Sequence, residues 1–142
     1  MAIKEQQAFD GKSAEHMVIT ELLKRNYVPF IPVLDRGIDL LVKSKTEEKY
    51  YEIQVKSNNS PIEKNQKWFI FSGELQVRKN LIYALVDMIN NEIWIVPSEI
   101  VKKYGNQCKT QFDLHLKQRK RGDEKRRGEH LEPYKNNWNI LR

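Results

Sequence analysis

Three polar side chains stand on two neighbouring apolar runs, in a pattern suited to phosphate chemistry. Tyr50-Tyr51-Glu52-Ile53-Gln54-Val55-Lys56 alternates apolar and polar residues, as a half-buried strand does. Successive strand side chains point to opposite faces. Burial of Tyr51, Ile53 and Val55 therefore gathers Glu52, Gln54 and Lys56 on the other face. Just upstream, Ile38-Asp39-Leu40-Leu41-Val42-Lys43 is a second strand, with Asp39 inside an apolar run where an unpaired charge is costly. The polar stretch from Lys45 to Lys49 is short enough to close the two strands as an antiparallel hairpin. A turn near Thr46 or Glu47 sets Asp39 opposite Gln54 or Lys56, with Cβ atoms ~5 Å apart.

A carboxylate, an amide oxygen and an ammonium brought together in this way match the needs of phosphodiester hydrolysis. A hard divalent cation such as Mg²⁺ takes oxygen ligands and keeps several waters. Asp39 is the expected main ligand, with the Gln54 side-chain oxygen and the Val55 carbonyl as further ones. Lys56 is placed to orient an attacking water or to stabilise charge developing on the phosphate.

The elements that must hold these groups can be read around them. Ala14, Met17, Val18, Leu22 and Leu23 recur at helical spacing and indicate a helix from about Lys12 to Asn26, with Asp10 or Ser13 as its cap. Pro29 to Val33 is a short extended segment, an edge at best because of its two prolines. Asp35-Arg36-Gly37 is a turn. Beyond the hairpin, Trp68 to Phe71 is a short strand and Glu74 to Lys79 a helical turn. Leu81 to Ile89 and Glu92 to Val96 are strands joined at Asn90-Asn91. Pro97-Ser98-Glu99 opens a helix that runs to about Tyr104 and stops at Gly105, and Gln111 to Leu116 is an edge strand.

The 142 residues suit one domain with a real core, and residues 1–142 are read as a single unit. Residues 117–128 form a basic loop without apolar side chains, and the segment 129–142 carries Leu131, Tyr134, Trp138, Ile140 and Leu141 to dock back on the core. No run approaches the ~20 apolar residues that span a bilayer. The first residues lack a signal peptide's apolar centre. With Cys108 alone, neither an intrachain disulfide nor a cysteine zinc site can form, and these features together lead us to expect a cytoplasmic protein. The net charge of +6 and pI near 9.4 suit a polyanionic partner.

The series Gly11-Lys12-Ser13-Ala14-Glu15, Gly37-Ile38-Asp39 and Gln54-Val55-Lys56 resembles the PD-(D/E)XK nuclease superfamily, nearest to its Holliday-junction resolvase and Mrr-like restriction endonuclease branch. The match covers residues 11 to 57 and consists of three separated motifs in order. The resemblance implies an α/β, restriction-endonuclease-like αβββαβ core with a central mixed sheet flanked by helices. It also implies dependence on Mg²⁺, with Mn²⁺ able to substitute, and DNA as substrate, double-stranded or branched. Carried over by position, Glu15 is the helix carboxylate near the metal, Asp39 the central ligand, Gln54 the second ligand position and Lys56 the catalytic lysine. A homodimer or higher homo-oligomer is expected by analogy, since cutting two strands needs two sites. The departure is Gln54, where most of the superfamily has a carboxylate; a neutral amide binds Mg²⁺ less strongly, and Glu52 on the same face could compensate in part or simply be solvated. The competing expectation is a nucleic-acid-binding module with impaired catalysis, or a subunit of a defence or mobile-element system.

Several other residues carry a plain reading beside a functional one. Ser13 is a cap or first-turn residue that could also contact a phosphate. Lys117, Arg119, Lys120, Arg121, Lys125, Arg126 and Arg127 form either a solvated loop or a grip on the phosphate backbone. Trp68, Phe69 and Phe71 suit the core better than base stacking. His16, His115 and His130 show no metal-ligand spacing, and no Walker phosphate-binding motif is present.

Overall fold

The computed structural model describes residues 2–58, 68–116 and 131–142, with the Trp68 side chain outside that set. The chain opens with helix α1 (Ile3–Lys24), followed by strands β1 (Pro29–Phe30), β2 (Leu40–Lys43), β3 (Tyr50–Asn58), β4 (Trp68–Ser72), β5 (Leu81–Asp87) and β6 (Glu92–Pro97). Helix α2 (Ser98–Tyr104), strands β7 (Asn106–Cys108) and β8 (Gln111–His115), and two short 3-10 turns at Glu132–Tyr134 and Trp138–Leu141 complete it. Among the described residues no helix is long and apolar enough to cross a membrane.

The central sheet has five strands in the order β1-β2-β3-β5-β6. It is mixed, because β3 and β5 run parallel while the other pairs are antiparallel. A parallel pair needs a crossover, usually helical. Here the connection includes β4, which leaves the central sheet and joins a small antiparallel sheet of order β4-β8-β7.

Two cores follow from this layering. On one face α1 presents Ala14, Val18 and Leu22, all fully buried, against Ile53, Ala84, Val86 and Ile95. On the other face Leu81, Tyr83, Leu85 and Trp94 meet Phe69 and Phe71 of β4 and Phe112 and Leu114 of β8. Because β5 is covered on both sides, all seven of its residues are buried and its sequence is continuously apolar up to Val86 rather than alternating. The C-terminal segment contributes to both layers: Leu131 enters the second core, Trp138 and Leu141 the first.

The α1 helix starts at Ile3, nine residues earlier than the stripe indicates, with Ala2 at the N-cap and no side-chain cap bond. Asp10 and Ser13 therefore lie inside the helix, and Asp10 accepts a hydrogen bond from the Gln6 amide. The extra turns are exposed and carry no buried stripe; good helix formers such as Glu5, Gln6 and Ala8 sustain them. Leu23, counted with the stripe, is exposed. The C-terminus is a Schellman stop: Asn26 takes a positive φ of 60°, its N–H donates to Leu23 O, and Tyr27 N–H donates to Leu22 O.

Two further expectations are corrected. Glu74 to Lys79 is not helical. It has no regular secondary structure, with the Tyr83 hydroxyl donating to Gln76 O, and ends in a turn where Asn80 has a φ of 64°. Gln111 to His115 is the middle strand of the small sheet rather than an edge, because polar, exposed β7 pairs along its outer side. The face opposite α1 is thus covered by this small sheet together with α2, so a helix flanks the central sheet on each side.

Candidate active site

The site lies where the β2–β3 hairpin opens. Its far end is closed by Ser44, whose hydroxyl accepts the Thr46 and Glu47 amides. The register pairs Leu40 with Ile53, so one step further sets Asp39 across from Gln54. Asp39 N–H still donates to Ile53 O at 2.9 Å. Beyond this bond the main chain turns away through Gly37, and the Asp39 side chain takes over the ladder: its Oδ2 accepts the Val55 N–H at 2.7 Å. This bond fixes the carboxylate at the sheet end and leaves Oδ1 for a cation. In an extended strand the N–H and C=O of one residue point to the same edge, so the Val55 carbonyl faces the Asp39 side as well.

The turn before Asp39 is built by an Asx bond, with Gly37 N–H donating to Asp35 Oδ1 at 3.1 Å. Gly37 has a φ of +77°, which a side chain rarely adopts, and a Cβ added there would come to 3.9 Å from the Gln54 amide nitrogen. Gln54 and Lys56 share the face that carries Tyr83, and the Lys56 Nζ sits 5.6 Å from the centre of the Phe71 ring. Phe69 and Phe71 are core residues.

The charges are perturbed in opposite senses. Burial pushes the Asp39 carboxyl above its ordinary range; the Val55 hydrogen bond and Lys56 oppose this, while the negative charges of Glu15 and Asp35 add to it. Burial also lowers the Lys56 ammonium below its ordinary range, against the pull of Asp39 and Asp35. These mutual effects bring Glu15, Asp35, Asp39 and Lys56 into one electrostatic neighbourhood. Glu15 reaches it from α1, beside fully buried Ala14, and its Oε2 holds the exposed Lys12 Nζ at 2.8 Å.

Among the described residues no three His, Cys, Asp or Glu side chains cluster as a metal cage on their own. A cation here would draw on a mixed oxygen set: the Asp39 and Glu15 carboxylates, the Gln54 amide oxygen and the Val55 carbonyl. All four are hard donors, and a bound cation would offset the burial of the Asp39 carboxylate and its repulsion by Glu15 and Asp35. The set therefore fits a hard divalent ion.

Glu52 is not available to make up for the neutral Gln54. Its Oε2 receives the Arg78 Nε–H at 2.6 Å, and Arg78 is in turn clamped through its backbone N–H and C=O by the buried Ser98 hydroxyl. Ser13 lies on another flank of α1, where it lines a cavity of about 730 Å³ with His16, Met17, Thr20, Glu21 and Lys135. None of the four catalytic candidates borders that cavity. The convergent perturbed charges, not the cavity, mark the site. The basic residues Lys117, Arg119, Lys120, Arg121, Lys125, Arg126 and Arg127 lie outside the described residues.

Three participants escaped sequence reasoning. Asp35 was read only as part of a turn, although Asp-x-Gly is the signature of an Asx bond that fixes the carboxylate there. Lys12 stands three residues before Glu15 on one helix, a spacing that signals an ion pair. Arg78 gave no local signal, because its partner Glu52 is distant in sequence.

No protein-family profile matches the chain, and neither does any curated protein sequence. A solved structure does: a bacterial homing endonuclease, I-Ssp6803I, superposes with a TM-score of 0.65 over 93% of this chain and 88% of that one, at 18% identity. The fold is restriction-endonuclease-like. At this identity the likeness establishes the fold, and with it the central mixed sheet that the motifs implied.

Proposed function

We propose that this restriction-endonuclease-like chain is a Mg²⁺-dependent DNA endonuclease. The observation that carries the reading is the Asp39 carboxylate, fixed by Val55 N–H at 2.7 Å at the end of the β2–β3 hairpin, with Gln54 and Lys56 on the adjoining strand. The fold it shares with a homing endonuclease supports it, as does a net charge of +6.

Asp39, Glu15, Gln54 and the Val55 carbonyl would hold the cation. A bound Mg²⁺ polarises the phosphoryl oxygen and lowers the pKa of water at the site. Asp39 supplies a preoriented charge, because its hydrogen bond to Val55 restricts the carboxylate before substrate arrives. Lys56, half-buried and pressed toward Phe71, holds a proton-bearing nitrogen near the phosphate, where it orients the attacking water or stabilises the developing charge. Water attacks phosphorus in line with the departing oxygen. The basic residues between Lys117 and Arg127 are proposed to grip the backbone of double-stranded or branched DNA.

A second reading is a nucleic-acid-binding module with impaired catalysis. The neutral Gln54, with Glu52 tied to Arg78, favours it. Incubation with supercoiled, linear, branched and single-stranded DNA in Mg²⁺ or Mn²⁺ separates the two. Cleavage lost in Lys56→Ala is expected; salt-sensitive binding without cleavage of any substrate would favour the binding module instead.

A further inference from the structure

Among the described residues, nothing packs over one face of the central sheet at its β1 edge. Register places Phe30 beside Leu41, and Tyr50 beside Lys43, on the same side of the sheet as Gln54 and Lys56. The small sheet covers β5 and β6 on that side and leaves Phe30 and Tyr50 in mutual edge-on contact, 6.4 Å between ring centres. The chain on either side of β1 continues the apolar surface. Val33 is fully exposed, Ile31 69%, Leu34 68% and Val28 63%, while Tyr50 and Phe30 are each about half exposed.

We propose that this face is where two copies of the chain meet. Three observations select a second copy over other occupants. The first is area: at about 100 Å² for half of a large side chain, the six residues expose roughly 600 Å². That reaches the top of the about 300–600 Å² patch a monomer usually leaves, and approaches the about 800 Å² each partner gives to a standard interface. The second is charge. Residues 28–34 contain no charged side chain in a protein of net charge +6, so two copies repel each other least there. A surface built to hold a phosphate backbone would carry cations instead. The third is the edge itself. Pro29 and Pro32 remove backbone donors from it, which disfavours addition of a foreign strand and leaves side-chain packing as the mode of contact. A two-fold, self-complementary contact uses the same patch twice and closes at the dimer.

The patch runs directly into the Asp35-Arg36-Gly37 turn that positions Asp39. Pairing through it would set two Asp39 sites on either side of one interface, as cutting both strands of a duplex requires. That consequence rests on the endonuclease reading; the pairing itself does not.

Sedimentation equilibrium of wild type and of Ile31→Asp/Val33→Asp tests it, with thermal melts to check folding and a duplex-binding titration in parallel. Both positions are exposed, so the variant is expected to melt within a few degrees of wild type. Wild type should show twice the 16.9 kDa chain mass, and the variant the single mass at the same concentration. Should the double variant fail to fold, Leu34→Lys gives the same mass readout. A wild type that stays at the single mass at high micromolar concentration would overturn the proposal, as would a dimer that the variants leave intact. A monomeric wild type whose variant loses duplex affinity would overturn it too, and would hand the face to nucleic acid. The mass readout needs no cleavage, so its failure is distinct from failure of the nuclease reading.

Discussion

Val55 donates its backbone N–H to Asp39 Oδ2 across 2.7 Å, so a side chain, not a carbonyl, completes the hairpin ladder at the candidate site. The bond holds a carboxylate in a partly buried position that an ordinary surface aspartate would not occupy. Structure and site chemistry therefore pull against each other at this residue, and the tension is measurable.

Asp39→Asn is expected to stabilise the metal-free fold at neutral pH. Asparagine keeps an oxygen for the Val55 amide and drops the charge. Burial holds the Asp39 carboxyl above its ordinary 3.8, with Glu15 and Asp35 adding to the effect. A folded pKa above the unfolded one means the folded chain binds that proton more tightly. Wild-type stability thus rises as pH falls through the folded pKa, and the gain is complete below the unfolded value. The variant should lead by about 0.5–2 kcal/mol at pH 7, with the lead shrinking in acid. Urea titrations at pH 7 and at pH 4 compare the two, and a variant less stable than wild type at pH 7 would contradict the assignment.

The pH dependence of cleavage should be a bell whose limbs are both drawn inward. At sub-saturating Mg²⁺ Asp39 must lose its proton before the cation binds, so its raised pKa in the metal-free protein moves the acid limb above the ordinary carboxylate range. Lys56 must keep its proton, and its lowered pKa brings the alkaline limb below 10.5. Lys56→Arg should lose the alkaline limb, because a guanidinium does not titrate there. Single-turnover rates across pH in Mg²⁺ test both limbs.

Gln54→Glu converts a neutral ligand position to an anionic one. If Gln54 faces the cation, metal affinity should rise about ten-fold, equal to about 1.4 kcal/mol. Calorimetric titration with Mg²⁺ or Mn²⁺ measures this, and unchanged affinity would remove Gln54 from the ligand set.

The Glu52–Arg78–Ser98 connection gives an order of effects. Glu52 and Arg78 are both partly exposed, so Arg78→Ala should cost no more than about 1 kcal/mol. Ser98 is fully buried and serves both Arg78 N–H and Arg78 O. Ser98→Ala takes the acceptor from Arg78 N–H and leaves Arg78 O only the Leu81 N–H, and should cost about 1–3 kcal/mol. Chemical denaturation of the two variants should find Ser98→Ala the weaker fold.

The hairpin was legible because its cause is local. Alternation from Tyr50 to Lys56 and a short polar turn fix the register, and the register carries Asp39 to Gln54. The stripe of α1 was legible for the same reason, whereas its exposed first turns have no buried period to read. The parallel β3–β5 pair was not legible, since parallel pairing joins segments separated by an entire crossover and leaves no short-range mark. Polar β7 carries no apolar pattern, so β8 looked like an edge. Within the site, the bond from Val55 to Asp39 and the diversion of Glu52 to Arg78 depend on where side chains come to rest after folding.

The central claim is that Asp39 supports metal-dependent cleavage of DNA. Its most direct test is conversion of supercoiled plasmid in Mg²⁺ by wild type and by Asp39→Asn, with both proteins shown to be folded by their melting curves. Wild type should cut, cutting should stop when the metal is chelated, and Asp39→Asn should be slower by at least about a hundred-fold while melting no earlier than wild type. Cleavage that persists undiminished in a folded Asp39→Asn, or in chelator, would contradict it.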